Sequence, residues 1–295
     1  MNIFDNIKLN FRNGNALTRI IYINAGIYFL LQAVLILFRL FNISAISIID
    51  YLALPASLPE LLLRPWSLLS YMFLHADFFH ILFNMFALYW FGKLFLMFYS
   101  EKQLVGLYLI GGFIGALFYI GAFNLFPYFN TALPEAAVLG ASGSIMAIIV
   151  ATAIQSPNME MRMLFIGNIK LKYIAAVAVL MSFFGITSNN AGGEMVHLGG
   201  ALAGYIFIVS LRQGKDFTSG ISKVLDSFVN LFKPRKLKVK PNKNRRNTKM
   251  NDAEFNMNKA KRMDEINRII VFIKTSGYDS LSTDEKKRLF EQGKN

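Results

Sequence analysis

The stretch HLGGALAG, residues 197–204, decides how this chain folds. Gly200 and Gly204 stand four positions apart, so they share one face of a helix and let that face approach a neighbouring helix closely. His197 lies on the same face, three positions before Gly200. Polar side chains within a bilayer are costly and usually mark functional sites. The stretch therefore predicts both a tight helix interface and a candidate site.

The composition of the 295-residue chain indicates several membrane spans. Hydrophobic residues make up 54% of it and 28 residues are Phe, and the mean hydropathy of +0.41 lies well above that of an ordinary soluble domain. Cysteine is absent, which excludes disulfides, thiolate catalysis and thiolate metal sites. The formal net charge is +13, and the residues after 211 carry +11 of it, so two parts of the chain occupy different solvents.

Six apolar stretches are candidates to cross a hydrocarbon core, which takes about 20 helical residues. The last three are short and contain Gly, Ser or Thr, so we expect other helices to surround them. The first follows a basic start and lacks a small-residue cleavage site, which indicates a retained signal anchor. The stretches are residues 20–41, 79–98, 103–126, 138–154, 173–187 and 195–211.

Basic residues predict the orientation, because short cytoplasmic loops are enriched in Lys and Arg. With the N-terminus inside, eight basic residues fall on the inner side of the membrane part and two on the outer side, which favours a cytoplasmic N-terminus and C-terminus in a cell (inner) membrane. The second, fourth and sixth spans then all begin at the outer face. The inner residues are Lys8, Arg12, Arg19, Lys93, Lys102, Arg162, Lys170 and Lys172, and the outer ones are Arg39 and Arg64.

A serine opens the fourth span within Gly140-Ala141-Ser142-Gly143. The glycines leave its hydroxyl accessible, and the free N–H groups of a helix start can hold a developing oxyanion. A small-residue packing face is the alternative interpretation of these four residues. Close packing of the fourth and sixth spans brings His197 to Ser142, and histidine accepts and returns a proton at neutral pH. The alternative for His197 is a hydrogen-bonded histidine near the membrane boundary.

His80 and Asn84 are one helical turn apart in the second span, so their side chains project in the same direction. Two neutral donors aimed at one point suit the oxygen of a tetrahedral intermediate. A metal site built from His75, His80 and His197 is the competing interpretation. No carboxylate lies nearby in these helices, and the five-residue step from His75 to His80 does not align them, so we expect no metal and no cofactor.

No acidic partner for the histidine is predicted. Glu194 falls in a Gly- and Asn-rich stretch that we assign to a solvated loop before the sixth span, and Asp77 and Glu135 are interpreted as outer-loop charges. The residues therefore imply a Ser–His dyad rather than a triad. Hydrolysis within a bilayer needs an outward-open polar cavity. We expect its lining to be drawn from Ser142, Ser144, His75, His80, Asn84 and Asn190.

Together these motifs resemble those of the rhomboid intramembrane serine proteases: a GxSG serine, a later histidine followed by a GxxxG face, and an earlier HxxxxHxxxN string. The match covers about residues 15–213. It implies an all-α membrane protein with a six-helix bundle. It also implies Ser142 as nucleophile, His197 as general base, and an oxyanion hole formed by His80, Asn84 and the Ser142 backbone N–H. The supporting residues are Gly140, Gly143, His75, Gly200 and Gly204.

The resemblance also implies a substrate, a transmembrane helix of another protein that unwinds near the outer face and is cut after a small residue. Residues 42–78 become a partly membrane-embedded first loop, residues 187–196 a flexible cap, and the fifth span a lateral gate. Two positions depart from the family pattern. Trp66-Ser67 stands where many relatives have Trp-Arg, and Met146 stands where an aromatic often supports the histidine.

A catalytically silent, rhomboid-like membrane chaperone that binds client helices is the alternative function. Inactive relatives of this kind generally lack the serine or the histidine. This chain has both Ser142 and His197, so the sequence favours the enzyme.

The chain is predicted to have four parts: a cytoplasmic N-terminal segment 1–19, the membrane domain 20–211, a basic, largely disordered linker 212–250 and a small cytoplasmic helical hairpin 251–295. The hairpin resembles the C-terminal appendage of some bacterial rhomboid relatives. Apolar periodicity predicts its first helix over residues 263–275, and residues 282–285 predict a capping box for its second.

The positive charge of the linker predicts what this part of the chain binds. Residues 233–249 hold nine Lys/Arg and no acid, so we expect a disordered segment that is drawn to anionic lipid head groups. Nucleic acid is disfavoured, because no interleaved aromatics or binding fold accompany the charges.

Overall fold

A computed structural model describes residues 2–43, 48–163, 167–221, 223, 227 and 252–292 of the chain. The chain divides into two compact units, residues 1–233 and 234–295. Most of the predicted linker, including all of the basic segment 233–249, lies outside the described residues. Its disorder and its attraction to anionic lipids therefore stay predictions, as do the four domain boundaries.

Helices dominate the described part of the first unit, and one falls on each of the six predicted spans. The bounds are α1 Ile3–Asn13, α2 Ala16–Leu40, α3 Ile48–Leu52, α4 Leu58–Leu63, α5 Ser67–Ser70, α6 Phe78–Leu96, α7 Glu101–Leu125, α8 Ser142–Gln155, α9 Leu171–Phe184 and α10 Ala191–Arg212. Short 3-10 turns lie at Tyr71–Phe73, Pro127–Phe129 and Gly185–Thr187. Two antiparallel strand pairs complete it, β1 Leu54–Pro55 with β2 Ala137–Val138 and β3 Glu160–Met163 with β4 Gly167–Lys170.

Four of these helices, α2, α6, α7 and α10, are long and apolar enough to cross a membrane, and α8 and α9 are shorter apolar helices. Large apolar side chains such as Phe29, Leu30 and Phe184 remain exposed on the bundle surface. Such a surface suits lipid rather than water. The chain is a multi-pass, all-α membrane protein, as the sequence predicts.

The short helices do not all lie centrally. Almost every residue of α8 from Gly143 to Ala153 is buried, which confirms the expectation for the fourth span. In α9 the buried residues are Leu171, Ala175 and Ser182, so this helix lies at the edge of the bundle and the expectation was wrong. Length and hydropathy do not report which of two short apolar helices is enclosed, because that depends on which neighbours contact it.

Glycine contacts place α10 between α8 and α7. A Cβ on Gly200 would overlap the carbonyl oxygen of Gly143, and a Cβ on Gly204 would overlap that of Ala147. On the other side, a Cβ on Gly199 would lie 2.7 Å from the Cα of Gly115 in α7. The predicted close packing of the fourth and sixth spans through Gly200 and Gly204 is confirmed.

The first loop holds the segment that leads into α8. Leu54 of β1 pairs with Val138 of β2, and the Gly140 backbone N–H donates to the Tyr71 carbonyl at 2.9 Å. Within the loop, Trp66 Nε1 donates to the Tyr51 carbonyl at 3.1 Å. The loop therefore fixes the approach to Ser142 from outside the bundle core.

The second unit contains two helices, α11 Asp252–Ser276 and α12 Thr283–Gln292, joined through a 3-10 turn at Tyr278–Ser280. The first helix begins eleven residues earlier than the apolar periodicity predicts. Its opening turns are polar, but Ala, Glu, Met and Lys favour a helix without an apolar face. The Ser282 backbone N–H donates to Glu285 Oε2 at 2.9 Å, and the Glu285 backbone N–H donates to Ser282 Oγ, so the predicted capping box is confirmed.

Candidate active site

Ser142 is the first residue of α8, where the backbone N–H groups of the first turn have no partner within the helix. Gly140 precedes it with φ +133, a conformation that L side chains rarely adopt. A Cβ on Gly140 would lie 2.9 Å from His80 Nε2 and 3.6 Å from Ser142 Oγ. Only glycine therefore fits here, and the serine hydroxyl and the His80 ring both face this point.

The start of α6 orients His80 and Asn84. The Asp77 side chain caps the helix by accepting from the His80 backbone N–H at 2.9 Å. His80 Nδ1 accepts from the Ala76 N–H at 3.4 Å, so the ring proton lies on Nε2, the nitrogen that faces Gly140. Asn84 Nδ2 donates to the His80 carbonyl at 2.9 Å, which uses one of its two amide hydrogens.

His197 lies in the second turn of α10 rather than at its start. Its Nδ1 is 3.1 Å from Ser182 Oγ of α9 and 3.2 Å from Glu194 Oε2 of the preceding turn. Both of these contacts engage the same ring nitrogen. Nε2, the other nitrogen, takes part in neither contact, and His197 lines the same cavity as Ser142.

One cavity of about 410 Å³ is lined by the predicted catalytic and oxyanion-hole residues. Ser142 of α8, His197 of α10, and His80 and Asn84 of α6 all line it, and Asn190 lies at its rim. A larger cavity of about 650 Å³ is lined by the segment before β2 and by the start of α10, and Asn190 belongs to both. Four predicted residues from three helices thus meet at one place.

Two predicted lining residues lie elsewhere. Ser144 is buried at 1% exposure and is two positions from Ser142, which turns it to another side of α8. His75 is also buried, at 3% exposure, and its ring meets the His80 ring edge-on at 5.1 Å between centroids. Burial lowers the pKa of His75 to about 4, with the neighbouring His80 ring as a second cause. His75 therefore supports His80 from behind and does not contact the cavity.

The start of α10 corrects a prediction about the cap. The helix begins at Ala191, so residues 191–196 are helical and the non-helical cap shrinks to residues 188–190. Glu194 consequently lies inside the helix, with its side chain 19% exposed, and contacts His197. The sequence did carry a signal for this contact, because positions three apart share a helix face. The neighbouring glycines disfavour a helix, so the sequence alone placed Glu194 in a loop.

Met146, one turn after Ser142, lines the cavity together with His197. This is the position where relatives of the resembled family often have an aromatic. Among the described residues, no three His, Asp or Glu side chains are grouped as metal ligands.

Comparisons with known proteins agree with this architecture. A family model described as Rhomboid domain matches residues 63–214, and one described as a family of unknown function (DUF6576) matches residues 250–295. The chain is 27% identical over 167 residues to a protein of Arabidopsis thaliana named RHOMBOID-like protein 12, mitochondrial. The aligned region is 52% of this chain and 48% of that protein, so the chain spans about half the length of this curated relative.

Proposed function

The chain belongs to the rhomboid family, and we propose that it is an intramembrane serine endopeptidase with Ser142 as nucleophile and His197 as general base. One observation carries the proposal. The candidate nucleophile, the candidate base and two candidate oxyanion donors, which come from three helices, line the same cavity of about 410 Å³.

The proposed reaction begins at the Ser142 hydroxyl. His197 Nε2 takes the proton from Oγ while Oγ attacks the carbonyl carbon of the scissile peptide bond, which forms a tetrahedral intermediate. The intermediate collapses to an ester on Ser142, and His197 returns the proton to the departing amine. Water then enters, loses a proton to His197 and attacks the ester carbonyl; as the C–Oγ bond breaks, His197 returns that proton to Ser142 Oγ, which releases the acid product and restores the free serine.

Three neutral donors are available for the intermediate's oxyanion. His80 presents Nε2–H, because its Nδ1 is already an acceptor, and Asn84 retains one free amide hydrogen. The Ser142 backbone N–H belongs to the first turn of α8 and has no partner within the helix. A donor of this kind is typically worth about 3 kcal/mol in the transition state.

The walls of the cavity support an apolar substrate. Outside the polar group, the apolar side chains of its lining come from α6, from α8 and from Leu139 between β2 and α8, which matches the chemistry of an unwound transmembrane helix. Phe83 is 67% exposed, so the cavity reaches the lipid-facing surface of α6. The apolar residues are Phe83, Ala87, Leu139, Ile145, Met146 and Ile149.

We place the site at the outer face of a cell membrane, with both termini cytoplasmic, because basic residues favour that orientation. Since the chain lacks cysteine, the reactivity of a single introduced cysteine shows on which side of the membrane that residue lies. Thr131→Cys, before β2, should react with an impermeant maleimide on intact cells. Asn158→Cys, between α8 and β3, should react only after permeabilisation. The reverse pattern would invert the topology.

The function itself is tested with purified protein in liposomes, using a fluorophosphonate serine probe and a reporter with one apolar transmembrane helix. Wild type should label and cut, Ser142→Ala and His197→Ala should do neither, and Ser210→Ala in α10 should match wild type. A wild type that binds the reporter but neither labels nor cuts would instead identify a silent, client-binding relative.

A further inference from the structure

A carboxylate contacts the candidate base. Glu194 Oε2 lies 3.2 Å from His197 Nδ1, one turn away on α10. The other oxygen, Oε1, accepts from Asn190 Nδ2 at 3.4 Å. Both oxygens are therefore engaged, and the carboxylate is held at the histidine rather than free in solvent.

The neighbouring chain makes room for this carboxylate. Gly185 follows α9, and a Cβ there would lie 2.9 Å from Glu194 Cγ and 3.0 Å from Cδ. Any side chain at residue 185 would displace the carboxylate. Glu194 also lies in the first turn of α10, where a negative charge is favourable in itself. If Glu194 only stabilised the N-terminus of α10, its carboxylate would not need to contact His197, but it does.

We propose that Glu194 is a positioning residue for His197, the third member of a Ser–His–Glu arrangement. The inference rests on the proposed protease function. With its Nδ1–H donated to the carboxylate, His197 keeps Nε2 unprotonated and directed to the cavity. When Nε2 takes the Ser142 proton, the imidazolium forms beside a negative charge. Glu194 remains ionised throughout and does not itself accept the proton.

Other groups near the histidine do not supply this charge. The titratable group of α6 near His197 is His80, and at this end of α7 it is Tyr119, whose ring packs beside Gly192. Helix α8 carries no ionisable side chain, and the ionisable residues of α9, Lys172 and Tyr173, lie at its opposite end. Within the described residues, Glu194 is thus the carboxylate that contacts His197.

Ser182 of α9 is the rival partner. It is buried, and its Oγ lies 3.1 Å from the same Nδ1. A hydroxyl can orient the ring, but it cannot neutralise an imidazolium. The two partners therefore differ in what their loss does to the pH dependence of the reaction.

The test measures reporter cleavage and fluorophosphonate labelling from pH 5 to 9 for wild type, Glu194→Gln and Ser182→Ala, with Glu160→Gln, an exposed acid between α8 and α9, as control. Glutamine keeps the shape and an acceptor oxygen but removes the charge. Because glutamine no longer offsets the positive charge of the imidazolium, the acidic limb of kcat/KM in Glu194→Gln should move to lower pH.

The maximal kcat of Glu194→Gln should fall by about 10- to 100-fold, a part of what general acid–base catalysis contributes. KM should stay unchanged, because Glu194 does not line the cavity that takes the substrate. A Glu194→Gln profile that superimposes on wild type would overturn the inference and leave the protease standing. An inactive wild type would overturn the proposed function, and this inference with it.

Discussion

Replacing Gly200 by alanine tests whether the contact between α8 and α10 sets the catalytic geometry. The added Cβ would overlap the carbonyl oxygen of Gly143 and lie 2.8 Å from its carbonyl carbon and 3.1 Å from its Cα. Ordinary contacts to a Cβ begin at 3.4 Å. All of these neighbours are backbone atoms, so no side chain can rotate away. The two helices must therefore separate by about 1 Å at this point, which is the difference between the overlapping and the ordinary contact distances.

The separation has two measurable consequences. Overpacking of this kind typically costs about 1–3 kcal/mol of stability, so the thermal midpoint in detergent should fall. Gly143 and Ser142 are adjacent in α8, and Gly200 is one turn from His197 in α10, so the same shift moves the base from the hydroxyl. A misplacement of about 1 Å can cost roughly 100-fold in rate. We expect a loss of that size in the labelling rate of Ser142 and in reporter cleavage.

Gly121→Ala is the matched control. Gly121 lies in α7, and no heavy atom comes within 4 Å of a Cβ built on it. The same chemical change should there leave activity intact and raise stability by up to about 1 kcal/mol, because alanine favours a helix over glycine. If Gly200→Ala labelled and cut within about twofold of wild type, the reasoning that helix contact sets the Ser142–His197 geometry would be refuted.

Three further changes probe the residues around the site. Gly140→Ala strains a backbone at φ +133 and displaces the His80 ring. Loss of one oxyanion donor typically slows a reaction roughly 100-fold or more, so labelling of Ser142 should slow by at least about tenfold. An unchanged labelling rate would contradict the assigned position of the His80 ring. Asp77→Ala removes the α6 cap and should lower stability by about 1 kcal/mol, whereas Asp77→Asn should retain most of it in a thermal melt. Burial lowers the pKa of His75 to about 4 in the folded protein. As the pH falls below 6.5, the unfolded chain therefore binds a proton at His75 before the folded chain does. The free energy of unfolding should then decrease by about 2 kcal/mol between pH values above 6.5 and pH 5. His75→Phe should flatten that loss, and an equally steep melt profile for this variant would assign the loss to other groups.

The sequence by itself determined the six apolar helices, their order and four of the residues that meet in the cavity. Hydropathy over about 20 residues is a local property that requires no knowledge of neighbours. The spacing of Gly200 and Gly204 likewise predicts a small-residue face for close helix packing, and the alternation of spans places the starts of α6, α8 and α10 at one end. Ser142, His197, His80 and Asn84 were identified on these grounds, and the structure brings them together.

Only the tertiary structure decided the start of α10, the edge position of α9 and the contact between Glu194 and His197. Gly192 and Gly193 disfavour a helix when the chain is considered alone, so the sequence predicts a loop there. In the structure, a Cβ on Gly192 would lie 2.5 Å from Val138 Cγ1 and 3.0 Å from the Tyr119 ring. Close approach to those neighbours requires glycine at this position of the helix, and the extra turn carries Glu194 to His197. That cause lies between elements distant in sequence, where local pattern carries no information.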